Sequence, residues 1–388
     1  MIPLAIPNIS GNEADYLMEC VRTNFVSSVG PFVAKLEKLT AVATGATACA
    51  VTASGTSALH TALISIGVRP GDLVVLPSFT FIASANAVAH CHATPIFVDI
   101  SADSWCMDPT RLSALLDGET KRVDGNLIHV PSCRRIAAIM PVYTLGTPAD
   151  MDLIRVIATE HRLPVIADAA AAIGARYRGR NLAGLADLSA ISFNGNKTIT
   201  AGGGGAVIGN DENLVKLIRH LSTTARIGDD YDHDQVGFNY RMTNLQAAVG
   251  CAQIERLDEF VSIKRKIRRS YDTAFARLPG IQPFPDPHWA ESASWFSGLV
   301  LDHDYPLSAR QVCQRLVARG IGARSFWKPA HLQQPYADAP RGMLPVTESL
   351  WSRIVTLPCS TQLSNDDQGK VIDAVKSVIQ TCFTGTND

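Results

Sequence analysis

Between about residues 45 and 210 the chain alternates short β-rich apolar runs with helical patterns, and this alternation constrains its fold more than any other feature. ACAV is followed by SALHTALISIG, DLVVL by TFIASANAVAH, PIFVDI by DPTRLSALL, RIAAIMPV by DMDLIRVIATEH, and a further run, PVIAD, comes next. Apolar runs too short to be helices, each separated from the next by a helix-length segment, predict an α/β fold: a mainly parallel sheet covered by helices on both faces. In such a sheet ligands gather beyond the carboxyl ends of the strands. DLSAISF and GGGAVIG read as two more strands, and Glu212 to Ser222 as a helix. A single long helical pattern from Asn244 to Leu278 is predicted to bridge to a second body. The remainder, with a strand near WFSGLVLD and helices at SARQVCQRLVARG and NDDQGKVIDAVKSVIQ, suits a smaller α+β domain. A length of 388 residues, 46% of them hydrophobic, accommodates two domains of ordinary size. Their expected extents are residues 1–250 and 251–388.

Composition removes several function classes. Thirty-five basic against 36 acidic side chains give a formal charge of −1, without the basic footprint that nucleic-acid binding requires. No window approaches the roughly 18 uninterrupted apolar residues of a membrane span, and the N-terminus does not read as a signal peptide, so no membrane partner and a cytoplasmic location are expected. The nine cysteines include no C-x-x-C pair, and the ten histidines are dispersed, which argues against a disulfide framework and against a metal site. The Walker A, G-x-G-x-x-G, G-x-S-x-G and H-E-x-x-H patterns are all missing.

Four segments converge if the strands are ordered as in a doubly wound sheet. In SFNGNKTITAGGGGAV, Lys197 stands among small and polar residues with four glycines close behind. A lysine that must lose its proton and form an imine needs an approach free of bulk; glycine runs also mark ordinary loops. Asp168 ends the strand PVIAD and is followed by alanines, where a carboxylate is costly unless it meets a cation or a strong donor; it also reads as a helix cap. In TASGTSAL, Gly55 and Thr56 open a helix whose free amides suit a phosphate, although a plain N-cap fits as well. Ser192 lies five residues before Lys197. Phe81, in PSFTFIASAN, could stack on a flat ring or simply pack in the core. Anchor, carboxylate, ring support and lysine are together what pyridoxal 5′-phosphate requires.

From about Ile2 to the last helix the chain resembles the DegT/DnrJ/EryC1/StrS family of sugar-nucleotide aminotransferases, a branch of the fold-type I pyridoxal-phosphate enzymes. The matching stretches, in order, are SGTSAL, PSFTFIASANAV, PVYTLGTPADMD, DAAAAIGA, SFNGNKTITAGGGGAV, GFNYRMTNLQAAVG, GIGARSFWKPAHLQ and LPCSTQLS. The resemblance implies a mainly parallel seven-stranded sheet between helices. It implies that Lys197 carries the cofactor and shuttles the proton, and that Asp168 keeps the ring nitrogen protonated. Gly55, Thr56 and Ser192 would bind the phosphate and Phe81 would stack on the ring. Asn239 would reach the phosphate of a neighbouring subunit in a homodimer with shared active sites. Arg241 would take an anionic group of donor or sugar nucleotide, and Trp327 and His331 would lie near the sugar nucleotide. L-Glutamate would be the donor, with the pyridoxamine 5′-phosphate form between the two half-reactions. The acceptor most resembling the motifs is a UDP-4-keto-6-deoxy-N-acetylhexosamine aminated at C4, as in surface-glycan or nonulosonic acid synthesis; GDP-perosamine-type and C3-specific enzymes of the family are alternatives. Many members carry His or Gln where this chain has Ala171. Lys197 itself argues against the family's dehydratases, where histidine replaces it. A non-catalytic regulator would be expected to carry a DNA-binding segment, which is not visible, and a plain interaction protein would bind no cofactor.

Overall fold

The structure, a computed structural model, describes residues 1–384; the last four residues of the smaller predicted domain lie outside them. Seven strands form the central sheet: β1 (Ala48–Thr52), β2 (Leu73–Pro77), β3 (Thr94–Val98), β4 (Arg134–Ile139), β5 (Ile166–Asp168), β6 (Leu188–Ser192) and β7 (Gly205–Gly209). Their order is β1-β7-β6-β5-β4-β2-β3, with β4 joined to β5 through parallel bridges at Ile139–Val165 and Val142–Asp168. All neighbours are parallel except β7, which runs antiparallel to both β1 and β6. The side-chain period of two assigns each face to its own core. Cys49, Val51, Leu73, Val75, Ile96 and Val98 join one apolar cluster, whereas Ala50, Val74, Leu76 and Phe97 join another on the opposite side. Sheet strands buried on both faces explain why their sequences read as near-continuous apolar runs.

The helices start where short polar side chains satisfy free amides. Ser54 accepts from the Ser57 amide, and Asp211 from those of Asn213 and Leu214 at the head of helix Glu212–Ser222, whose bounds match the sequence expectation. Thr243 and Gln246 form a capping box at the start of helix Asn244–Ile254.

The predicted single helix from Asn244 to Leu278 is in fact two, Asn244–Ile254 and Leu257–Phe275. The chain turns at Arg256, with φ −111° and ψ 13°. Glu255 is held there by Asn12, Tyr16 and Lys35, contacts from the far end of the sequence that local periodicity cannot register.

A second, antiparallel sheet comprises β8 (Ile281–Pro283), β9 (Ser297–Leu301), β10 (Arg324–Ser325) and β11 (Ile354–Leu357), in the order β8-β9-β11-β10. Its apolar cluster includes Leu299, Leu301, Val355, Leu357 and Val371. Helix Leu257–Phe275 enters both cores: Leu257, Phe260 and Val261 pack with the large sheet, and Ile267, Tyr271 and Phe275 with the small one. The first residues of the chain also join the second body. Ile2 pairs with Ile321, and Leu4 accepts from the Cys359 amide. Among the described residues no helix is long and apolar enough to cross a membrane.

Candidate active site

The carboxyl ends of the parallel strands open into a cavity of about 510 Å³, closed on its far side by residues of the second sheet. Sheet register delivers three of its elements together. Gly205, the first residue of antiparallel β7, is paired with Thr52 at the end of β1 and with Ser192 at the end of β6. The glycine run therefore ends, and β7 begins, where its neighbours finish. A Cβ on Gly205 would stand 2.6 Å from the Ser54 carbonyl oxygen and 2.7 Å from the Gly55 nitrogen, both backbone atoms that cannot swing aside. Gly205→Ala is accordingly expected to cost about 1–3 kcal/mol, the usual range for overpacking, and to lower the melting temperature and cofactor retention together. An unchanged melting curve would contradict this packing.

At the turn after β1, Ser54 caps only the Ser57 amide. The preceding amides, of Gly55 and Thr56, have no acceptor within the helix's first turn. A Cβ on Gly55 would meet the Ser192 Cβ at 3.0 Å and its Oγ at 3.3 Å, so the missing side chain leaves room for both the turn and the Ser192 hydroxyl. Gly55, Thr56 and Ser192 all line the cavity. Amides at a positive helix end, flanked by hydroxyls, form a cradle whose chemistry fits a phosphate.

Asp168 is only 6% exposed. Its Oδ2 accepts from the Ser84 hydroxyl at 2.6 Å and its Oδ1 from the Ala170 amide at 3.1 Å, while Ser84 itself shares a 2.6 Å hydrogen bond with Thr80. Burial raises the pKa of this carboxyl, and the two hydrogen bonds and the nearby Lys197 partly oppose the rise. A buried carboxylate fixed by two donors matches what a protonated pyridine nitrogen demands. Lys197 follows β6 on a turn in which its own amide donates to the Asn194 carbonyl at 3.0 Å. Burial lowers its amine to about 8, despite the counter-pull of Asp168. Both strands that carry the two residues run the same way, with Asp168 paired to Ala190, and both side chains line the one cavity. The residues present thus fit pyridoxal phosphate: a phosphate cradle, a ring-nitrogen partner and an amine poised near neutrality.

Phe81, 55% exposed, and Trp327 also line the cavity, their ring centroids 6.0 Å apart. His331 does not. The residue is 4% exposed, and its Nδ1 lies 2.6 Å from the Ser78 hydroxyl, so it ties the turn Ala330–Leu332 to the end of β2 rather than facing a substrate. Asn239 and Arg241 are likewise outside the cavity of their own chain. Asn239 is exposed, and Arg241 is paired to Thr52 beneath the phosphate turn.

The structure brings three further residues to the site. Ser84 orients Asp168. Trp295, on the loop into β9, brings its ring to within 3.7 Å of Lys197 Nζ. Arg324, on β10, is the single guanidinium lining the cavity among the described residues and has no salt bridge there. Ser84 sits four residues after Thr80 in a stretch already singled out, so helical spacing could have suggested it; Trp295 and Arg324 enter only through tertiary folding.

Comparison with known proteins agrees with this geometry. The model of the DegT/DnrJ/EryC1/StrS aminotransferase family matches residues 7–376. The chain is 38% identical over 387 residues to GDP-perosamine synthase of Caulobacter vibrioides, covering 97% of this chain and 98% of that one. It is 37% identical over 387 residues to EpsN of Bacillus subtilis, whose name describes a pyridoxal phosphate-dependent aminotransferase, covering 98% and 96%. A crystal structure of a DegT DnrJ EryC1 StrS aminotransferase from Brucella abortus superposes with a TM-score of 0.86 at 30% identity, covering 95% of each chain. The chain therefore belongs to the DegT/DnrJ/EryC1/StrS family, with the fold-type I architecture, and is a pyridoxal-phosphate-dependent sugar aminotransferase.

Proposed function

We propose that the enzyme moves the amino group of L-glutamate to a nucleotide-linked keto sugar, releasing 2-oxoglutarate. The observation that carries this reading is the convergence of Lys197, Asp168 and the Gly55–Ser192 cradle on one cavity. Pyridoxal phosphate supplies an aldehyde for the migrating amine and a ring that stores the electron pair released when the donor's α-proton leaves. Asp168 holds a proton on the ring nitrogen, which its fixed carboxylate favours. Gly55, Thr56 and Ser192 would hold the phosphate. Phe81, on the cavity wall, would support one face of the ring. Lys197 Nζ takes and returns the proton, a task that favours an amine whose pKa lies near working pH.

For the acceptor, the similarity to a GDP-perosamine synthase favours a GDP-linked keto sugar over the UDP-N-acetylhexosamine suggested by the motifs alone. Arg324 is placed for an anionic group of donor or sugar nucleotide, the role expected of Arg241, with Trp327 beside it on the wall. Borohydride reduction of the loaded protein should leave a pyridoxyl group on the Lys197 peptide. Incubation with glutamate and a panel of GDP- and UDP-linked keto sugars should give the amino sugar, read by mass, in the GDP arm. Amine transfer in the UDP arm alone would reverse the nucleotide assignment, and transfer in neither would end the sugar-nucleotide reading.

The assembly is a homodimer in which Asn239 completes the partner's phosphate site. Supporting this are the exposure of Asn239 and a run of exposed apolar side chains close in sequence, Met18, Val21, Phe25, Val26 and Val29, each more than 40% exposed. Mixing inactive Lys197→Ala with weakened Asn239→Ala subunits should restore about a quarter of the wild-type sites, because half the dimers are mixed and each has one intact site. Activity no higher than the mean of the two parents would show that each chain builds its site alone.

A further inference from the structure

Trp295 is the contact through which the second body touches the catalytic lysine. Only 3% exposed, it is fixed at four points. Its amide donates to the Leu145 carbonyl at 3.0 Å, and its own carbonyl accepts from the buried Lys264 ammonium at 3.0 Å. Its indole N–H donates to the carbonyl of Asn196 at 2.7 Å, one residue before the lysine. Lys197 Nζ then lies over the ring, 3.7 Å from its centroid. An ammonium at this distance from an indole face is held by the ring quadrupole, more strongly where water is excluded. The neighbouring strand of backbone closes the same wall. Ala293 donates to the Gly146 carbonyl, and a Cβ on Gly146 would reach the Ala171 carbonyl at 2.6 Å, so this loop packs closely on the backbone at Ala171, which lines the same cavity as Trp295.

We propose that Trp295 is the positioning residue of Lys197, its ring face holding the side-chain nitrogen inside the cavity and its N–H fixing the turn that presents it. The assignment of this nitrogen to amine transfer rests on the aminotransferase reading; the positioning itself does not. The indole and Ala171 both line the cavity. The other titratable or charged groups facing this cavity are Asp168, Tyr143 and Arg324. Asp168 favours the ammonium as Trp295 does, so the two effects must be separated by the tryptophan's own variants.

The test is competitive acetylation of the cofactor-free chain with isotope-coded acetic anhydride between pH 6 and 10, with the Lys197 peptide read by mass spectrometry. Trp295→Leu removes both ring face and N–H, and the labelling midpoint of Lys197 should fall by roughly half to one and a half pH units. Trp295→Phe keeps a face and should hold the midpoint closer to wild type than Leu does. Both lose the N–H and should show faster amide exchange across residues 194–198. A Leu midpoint equal to wild type overturns the proposal. Should the Leu variant not fold, unchanged exchange in the Phe variant overturns it instead. Failure of the aminotransferase reading would appear separately, as wild-type protein that labels normally but transfers no amine.

Discussion

Lys197→Ala should abolish amine transfer, with a loss of at least about 10⁴-fold, the upper range of a positioned acid–base group, because on the proposed reading the same nitrogen would also carry the cofactor. The fold should survive. The structure holds this amine at a pKa of about 8 against 10.5 for an ordinary lysine, and burial is the main cause. The unfolded chain therefore binds a proton more readily than the folded one between those values, and the wild type loses stability as pH falls from 10.5 towards 8. Below about 8 that loss is complete and constant. The alanine variant has no such group, so at pH 7 it should be no less stable than wild type, and the two should converge at high pH. Turnover with a keto sugar nucleotide and melting curves at pH 7 and 10 check both halves. Near-normal turnover would remove Lys197 from its role, and a collapsed melting temperature would give it a structural one.

Asp168→Asn should separate chemistry from stability even more sharply. The amide retains the geometry: its oxygen can accept from the Ala170 amide, and its NH₂ can donate to the Ser84 hydroxyl, which then turns its own proton towards Thr80. What disappears is the buried negative charge. Without cofactor the variant should match or exceed wild-type stability, by up to about 1–2 kcal/mol, since the desolvation cost is removed and the hydrogen bonds remain. With cofactor it should lose its activity by about 10³-fold or more, because a neutral amide does not keep the ring nitrogen protonated. Thermal unfolding with and without pyridoxal phosphate, together with amine-transfer rates, decides the matter. An Asn variant with wild-type rates would mean that the ring's protonation does not depend on this carboxylate.

The features legible in the sequence were those whose causes are local. Alternating faces of Cys49–Val51 or Leu73–Leu76 follow from strand geometry, and Asp211 announces its helix by capping it. The Gly55 turn, Asp168 and Lys197 were legible because each sits at a strand end, and parallel strands bring their ends together. The direction of β7 was not, since a five-residue apolar strand reads the same in either sense. The break at Arg256 depends on Asn12, Tyr16 and Lys35, and apolar periodicity runs through it unaltered. His331 stands in a motif that does border the cavity at Trp327, but its partner Ser78 lies 253 positions away. Trp295 had no neighbouring pattern to mark it, because its value comes from where Leu145, Asn196 and Lys264 hold it.

Helix Leu257–Phe275 has a mechanical consequence. Its nineteen residues are anchored in one apolar core at the amino end and in the other at the carboxyl end, without an intervening joint. A rod shared in this way transmits the loosening of either body to its neighbour, and severing the chain near Leu257 would strip both of an inner surface. The two walls of the cavity should therefore melt as a single cooperative unit, and neither body should persist as a soluble fragment.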